Sequence, residues 1–236
     1  MKKPYFKPLS IKKFFFLFIP VFFMCCSANQ KIAYKTDNIP ALSNSIPITV
    51  SIKEFSDERK NNSENLLLFE NGRQTKHDKK TVCINSEKHY KKETVTLQIS
   101  RQIAEHFDKI KLFRQTTFAD NSQTDYYLTG SLSYFYGVQN FSTSAAVGSH
   151  FGLIGALATS GAKTPAEITI EVKDIALYDK NGNLVQDFGT YRKDYSEELH
   201  ADAYCWCIYG NINQKLHDFT NGLAEKIKTE FRDIDK

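Results

Sequence analysis

Residues 167–195, EITIEVKDIALYDKNGNLVQDFGTYRKDY, carry the pattern that decides the fold. In Glu167–Tyr178, three apolar residues alternate with polar ones: Ile168, Ile170 and Val172. This alternation is typical of a strand with one buried face. Asn181-Gly182 follows, and an Asn-Gly pair between two such segments is a strong signal for a β-hairpin. Leu184–Tyr195 completes the hairpin, so the sequence predicts an antiparallel sheet with one face that needs apolar cover.

Two amphipathic helices are predicted on either side of the middle of the chain. In Lys92–Lys111, apolar residues recur at spacings of four and three: Val95, Ile99, Ile103, Phe107 and Ile110. A second stripe lies near the C-terminus: Ile212, Leu216, Phe219, Leu223, Ile227 and Phe231. Residues at these spacings share one face of a helix, so each helix can cover a sheet face.

Further strands are predicted at Ile46–Phe55, whose apolar residues alternate, and at Asp125–Tyr136, which is rich in aromatic residues. Short segments at Leu66–Phe69 and Thr81–Ile84 are additional candidates. The order is strand, helix, strand, hairpin, helix. It predicts an α+β fold over residues 46–236: a single-domain sandwich of a mainly antiparallel sheet covered by two amphipathic helices.

The N-terminus has the pattern of an export signal. Five lysines precede an apolar block: Lys2, Lys3, Lys7, Lys12 and Lys13. The block, Phe14–Met24, would form about 16 Å of helix at 1.5 Å per residue. A bilayer core is about 30 Å thick, so this block is too short for an ordinary membrane span. Residues 1–25 are therefore predicted to be a lipoprotein signal peptide.

Cys26 is the predicted lipidated residue, and Cys25 is the alternative. Cleavage before Cys26 leaves the small Cys25 at the preceding position, whereas cleavage before Cys25 would leave the bulkier Met24 there. An ordinary secretory signal and an uncleaved anchor are the other interpretations. The polar segment 26–45 is predicted to be a flexible tether that holds the domain away from the membrane.

Charge argues against a nucleic-acid partner. The formal net charge of the chain is +4. Five of its 31 basic residues, but none of its 27 acidic ones, lie in the predicted signal peptide. Residues 26–236 therefore carry 26 basic and 27 acidic residues, a net charge of −1. Without a basic excess the domain has little to attract phosphates, so no nucleic-acid partner is expected.

A Gly/Ala-rich apolar insertion occupies residues 142–163. Small residues recur in it at intervals that let helix backbones approach closely: Gly148, Gly152, Gly155 and Ala156. One interpretation is an oligomer contact or a membrane-inserting hairpin, and the other is a segment packed on its own domain. The apolar run is too short to cross a bilayer as one helix.

Cys83, Cys205 and Cys207 are disulfide candidates, since an exported protein can form disulfides. The prediction is a bridge from Cys83 to Cys205 or Cys207. The Cys-x-Cys pair is interpreted as part of a strand. Two alternatives are unpaired, buried thiols and a site in which thiolates and imidazoles bind zinc or copper. The weak ligand candidates are His200, Cys205, Cys207, Cys83 and His89, but their spacing matches no strong metal motif.

Three short motifs resemble a group of bacterial envelope lipoproteins. Phe55, Asp57 and Arg59 resemble the F-x-D-x-R start of the YajG-like lipoproteins, and 124–130 (TDYYLTG) resembles one of their strands. Leu177–Val185 (LYDKNGNLV) followed by a last helix is also similar. Comparable architecture occurs in the curli-secretion lipoprotein and the penicillin-binding-protein activator lipoproteins. The resemblance covers 46–135 and 166–232, and it implies a non-enzymatic envelope lipoprotein with no family active site.

The sequence thus predicts a membrane-anchored lipoprotein with a structural or accessory role in the bacterial cell envelope. It is expected to face the periplasm from the outer membrane, and to bind an envelope protein or a second copy of itself. No nucleotide-binding or hydrolase motif occurs, so neither catalysis nor a cofactor is expected. The residues at the turn after the first strand, Asp57 and Arg59, are predicted to brace it. The alternative function is a metal-binding or redox module at Cys83, Cys205, Cys207 and His200.

Overall fold

The structure is a computed structural model that describes residues 41–42, 44–59, 80–84, 93–118, 124–140, 163–200 and 206–231. These residues form seven strands and two helices. In chain order they are β1 (Ile46–Ile52), β2 (Ser56–Asp57), β3 (Lys80–Ile84), α1 (Val95–Lys109), β4 (Phe113–Phe118), β5 (Tyr126–Asn140), β6 (Lys163–Asp179), β7 (Leu184–His200) and α2 (Trp206–Glu230). The predicted α+β single-domain fold is confirmed.

The sheet is mixed, with the order β4-β1-β5-β6-β7. Its long ladders are antiparallel and join β5 to β6 and β6 to β7. β1 runs parallel to both β4 and β5. The short strands β2 and β3 pair with the same edge of β5 as β1 does, further along β5. The predicted hairpin therefore forms one side of the sheet, and the N-terminal strands form the other.

The core lies between the two helices and one face of the sheet, which we call the inner face. Every residue of the first predicted stripe is at most 3% exposed: Val95, Ile99, Ile103, Phe107 and Ile110. Five residues of the second stripe are fully buried: Ile212, Leu216, Phe219, Leu223 and Ile227. They pack with inner-face residues of β6, including Ile168, Ile170 and Val172, in one hydrophobic cluster. Both predicted helical stripes are confirmed.

Local polar contacts fix the start of α1. The Thr94 hydroxyl accepts a hydrogen bond from the Leu97 amide, which satisfies one of the free N–H groups at the helix end. The hydroxyls of Thr94 and Thr96 both donate to Glu54, at 2.7 and 2.8 Å. Because Glu54 lies between β1 and β2, these bonds tie the helix to the first strands.

Glycine lets β7 and α2 approach closely. A methyl group built on Gly222 of α2 would lie 1.9 Å from the Tyr191 hydroxyl oxygen. Tyr191 also packs against Phe219, with ring centroids 5.0 Å apart. A side chain at position 222 would therefore force Tyr191 or the helix to move.

Several predicted boundaries differ from the observed ones. Strand β4 was not predicted, because its buried residues Phe113 and Thr116 do not alternate with exposed ones. Lys163, the last residue of the segment predicted as an insertion, lies in β6 and pairs with His200 of β7, and the rest of that segment lies outside the described residues. The C-terminal helix begins at Trp206, so the strand interpretation of the Cys-x-Cys pair is wrong for Cys207. The amphipathic helix that follows extends towards the N-terminus over this segment, and each added helical residue gains a hydrogen bond. This outweighs the weak preference of the aromatic segment for a strand.

Candidate functional site

Most residues predicted to carry function lie outside the described parts of the chain. They include both lipidation candidates, Cys25 and Cys26, and the small residues of the insertion: Gly148, Gly152, Gly155 and Ala156. His89, Cys205 and the strand candidate Leu66–Phe69 lie outside them as well. The predictions made for these residues stay predictions.

The backbone places three of the cysteine-site candidates. Cys83 lies in β3 and pairs with Gly137 of β5. His200 is the last residue of β7, and Cys207 lies in the first turn of α2. Among the described residues, no three His, Cys, Asp or Glu side chains form a group that could hold a metal ion. The disulfide and the metal site stay predictions, since Cys205 and His89 belong to the undescribed parts.

The turn after the first strand is braced as predicted. The Arg59 guanidinium donates to both carboxylate oxygens of Asp57, at 2.8 and 2.5 Å. Partial burial raises the pKa of Asp57, but the hydrogen bonds and positive charge of Arg59 outweigh it and leave the pKa below its usual value. The Arg59 side chain is only 11% exposed. This pair therefore acts as a structural link in the turn.

A polar cluster stands on the face of the sheet opposite the helices, which we call the outer face. Its centre is Glu171 of β6, which is 5% exposed. The Ser133 hydroxyl donates to the Glu171 carboxylate at 2.6 Å. Lys173 Nζ and Arg192 Nη1 lie 3.5 and 3.4 Å from its two oxygens. A buried carboxylate needs such partners, because burial without them disfavours its charged form.

Arg192 of β7 links this carboxylate to a second one. Its Nε and Nη2 groups donate to the two oxygens of Asp194, both at 2.9 Å. The Thr169 hydroxyl donates to the same Asp194 carboxylate at 2.7 Å. The hydrogen bond from Arg192 is the largest effect on Asp194 and lowers its pKa, and the same contact raises the pKa of Arg192. Both groups are therefore charged at neutral pH.

Tyrosines surround the charged groups. The rings of Tyr134 and Tyr136 lie 5.3 Å apart on β5, and the Arg192 guanidinium sits 5.1 Å from the centroid of Tyr134. Burial, followed by the neighbouring Tyr134, raises the pKa of Tyr136. The hydroxyl of Tyr136 is therefore neutral at physiological pH.

A second aromatic group lies on the outer face near the hairpin turn. Tyr127 of β5 and Tyr178 of β6 stack with ring centroids 5.3 Å apart and an angle of 13° between their planes. Lys53 Nζ lies 3.9 Å from the centroid of Tyr127. The outer face thus presents tyrosines and cations at both ends of the β5–β6 ladder.

This arrangement suits recognition. Its carboxylates are held by cations and hydroxyls, and burial raises the pKa of Tyr136, so these groups are arranged for contact. Half-buried tyrosines beside arginine are typical of surfaces that bind other proteins. The alternation in the sequence predicted a polar outer face, but it did not identify this cluster. The tyrosines at outward-facing positions of β5 are the feature of the sequence that could have indicated the cluster.

Among the residues that the structure describes, no helix combines the length and apolar character needed to cross a bilayer. No family model matches the sequence, and no curated protein matches it either.

Similar solved structures come from bacteria. A Xanthomonas campestris protein of the DUF330 family is 9% identical, with a TM-score of 0.43, and the match covers 81% of this chain and 92% of that one. For PelC from Paraburkholderia phytofirmans, which was solved as a dodecamer, the identity is 9%, the TM-score 0.30, and the coverage 83% and 96%. A Helicobacter pylori protein described as a homolog of a neuraminyllactose-binding hemagglutinin is 11% identical, with a TM-score of 0.36 and coverage of 83% and 90%. At these TM-scores the likeness carries no argument about function.

Proposed function

We propose that the protein is a lipid-anchored accessory protein of the bacterial cell envelope, and that it acts by binding another envelope component or a second copy of itself. The observation that carries the binding role is the outer-face cluster of Tyr134, Tyr136, Glu171, Arg192 and Asp194. It joins aromatic rings and charged groups on strands of a rigid sheet. A site built on strands keeps its geometry better than one built on loops, which favours specific recognition.

The anchoring part of the proposal is supported by the sequence before the domain. Five lysines, a short apolar block and a cysteine at its end are the elements of a lipoprotein signal. Acyl chains contribute about 0.8 kcal/mol for each buried CH₂ group, so two or more chains make a lasting anchor. The outer membrane facing the periplasm is the proposed location.

Membrane fractionation of cells that express the full chain tests the anchor. Replacement of Cys26 by Ala is expected to release the protein from the membrane fraction and to remove the acyl mass from the mature chain. Replacement of Cys25 by Ala is the matched control and is expected to leave both unchanged. If the Cys25 variant loses the acyl mass while the Cys26 variant keeps it, the lipidated residue is Cys25. Retention of an unacylated chain in both variants would contradict the proposed anchor.

Site-specific photo-crosslinking tests the binding role. A photoreactive amino acid in place of Tyr136 is expected to give a covalent adduct of defined mass in intact cells. The same amino acid in place of Glu105, which is exposed on α1, is the control and should give none. Combining the probe at position 136 with Tyr134→Ala should reduce the adduct. Equal labelling from positions 105 and 136 would contradict a binding role for the outer face.

A further inference from the structure

The outer edge of β7 is long and regular. Within the described part of the chain, β7 lies at the end of the sheet and pairs with β6 alone. From Tyr191 to Glu198 its register with β6 runs without interruption. The part before this is irregular, with several register shifts and a left-handed residue, Gly189, at φ 64°. Eight regular residues give about 27 Å of edge that another strand can pair with.

Charges along this edge are arranged in a self-complementary order. When two copies run antiparallel with Tyr195 opposite Tyr195, residues 192–198 of one copy face the same residues of the other in reverse order. Lys193 then stands opposite Glu197 of the second copy, and Arg192 stands opposite Glu198. Because the pairing is symmetric, each of these contacts occurs twice. Directly opposite residues of an antiparallel pair lie about 4.5–5.5 Å apart at Cβ, so opposite charges there stabilise the pairing.

Neighbouring registers lack this match. A side chain returns to the same face only after two residues, so the nearest alternatives are shifts by two. One shift places Asp194 opposite Asp194 of the second copy. The other places Asp194 opposite Glu198 twice. Both bring like charges together, which destabilises a strand pair. The charges of β7 therefore select one register and disfavour those next to it.

The side chains that form these contacts can be reached. Lys193 and Glu198 are exposed, and the side chains of Arg192 and Glu197 are 44% and 28% exposed. Arg192 already binds Asp194, and Glu197 already binds Lys215. Both side chains stay partly exposed beside these bonds, so a charge of the second copy can reach each of them.

We infer that β7 pairs antiparallel with β7 of a second copy, in the register centred on Tyr195, and that this extends the sheet across a two-fold dimer. The inference rests on the self-association included in the proposed function and names its surface. Strand addition at an edge takes its affinity from backbone hydrogen bonds and its register from side chains. The outer-face clusters of both copies lie on the same side of the joined sheet.

Sedimentation of the full chain in detergent, across a range of concentrations, tests the inference. The wild type is expected to form dimers. Lys193→Glu and Glu198→Arg each replace two attractive contacts by two repulsive ones, and each should weaken the dimer about tenfold. Lys180→Glu makes the same charge change as Lys193→Glu, but at the hairpin turn, and should leave the dimer unchanged.

Mixing two variants gives a sharper test. Lys193→Glu and Glu197→Lys should each dimerise poorly alone, but an equimolar mixture restores opposite charges at both positions and should dimerise again. Glu198→Arg leaves the contact between Glu197 and Lys215 intact, so this variant still tests the inference if Glu197→Lys fails to fold. A monomeric wild type, or a dimer that resists both Lys193→Glu and Glu198→Arg, would overturn the inference. Neither result changes the outcome of the Cys26 fractionation test. Failure of the proposed dimer can therefore be distinguished from failure of the proposed lipid anchor.

Discussion

The two faces of the sheet use the same strands for different purposes. The inner face is apolar and covered by α1 and α2, and its residues on β6 are almost completely buried. The outer face carries tyrosines, carboxylates and cations that satisfy one another. Burial of apolar area is non-directional and tolerates exchange among residues of similar size. The outer contacts depend on direction and register, so small changes there alter recognition more than stability.

Adjacent residues of β5 allow the two faces to be compared directly. Phe135 points into the core and is fully buried, whereas Tyr134 stands on the outer face beneath Arg192. We expect Phe135→Ala to lower the free energy of unfolding by about 3–5 kcal/mol, since it leaves a cavity in the core. Tyr134→Ala should lower it by only about 1 kcal/mol. Urea denaturation of both variants measures the difference, and equal losses would contradict the proposed division between the faces.

A polar contact inside the helix layer sharpens the comparison. His106 of α1 is fully buried, and its Nε2 lies 2.7 Å from the Asn221 oxygen of α2. The ring of His217 packs against it edge-on, with centroids 5.1 Å apart. Burial is the largest effect and lowers the pKa of His106, the bond to Asn221 raises it, and the charges of His217 and Lys109 lower it further, to about 4.

This depressed pKa makes stability depend on pH. The ordinary pKa of histidine is 6.5, so at mildly acidic pH the unfolded chain binds a proton that the folded chain does not. The stabilisation that neutral His106 contributes is therefore fully present above pH 6.5 and is lost as the pH falls towards 4. We expect His106 to account for a loss of about 2 kcal/mol between pH 7.5 and pH 5.0. Urea denaturation at both values should show this loss in the wild type and a smaller one in His106→Gln. The same pH dependence in both proteins would show that His106 does not cause the loss.

The inner face could be predicted because burial leaves a period in the sequence. Spacings of three and four gave both helical stripes, and the alternation before Asn181-Gly182 gave the hairpin. β4 was missed for the opposite reason. It has six residues, and its exposed Arg114 and Gln115 are adjacent, so no alternation results. It forms because it pairs in parallel with β1, a contact between distant segments that a local pattern does not contain.

The outer-face cluster could not be predicted from spacing. The register between β5 and β6 shifts on both sides of Leu132, but the two shifts cancel, so Tyr134 pairs with Glu171 in the same register that pairs Tyr126 with Asp179. The cluster forms because Glu171 of β6 pairs with Tyr134 of β5 on one side and with Arg192 of β7 on the other, and the pattern along a single strand does not show which residues pair across strands. The sequence identified Glu171 and Arg192 only as polar positions of alternating strands.

Two glutamates on the outer face of β6 test how far the cluster contributes to stability. Glu171 is almost fully buried and contacts Ser133, Lys173 and Arg192, whereas Glu167 is exposed on the same strand and face. We expect Glu171→Gln to lower the free energy of unfolding by about 1–2 kcal/mol, because the amide keeps the shape but removes the charge that its partners face. Glu167→Gln should change it by less than about 0.5 kcal/mol. If the two variants are equally stable, the cluster contributes nothing to the fold, and the two faces differ even more sharply than proposed.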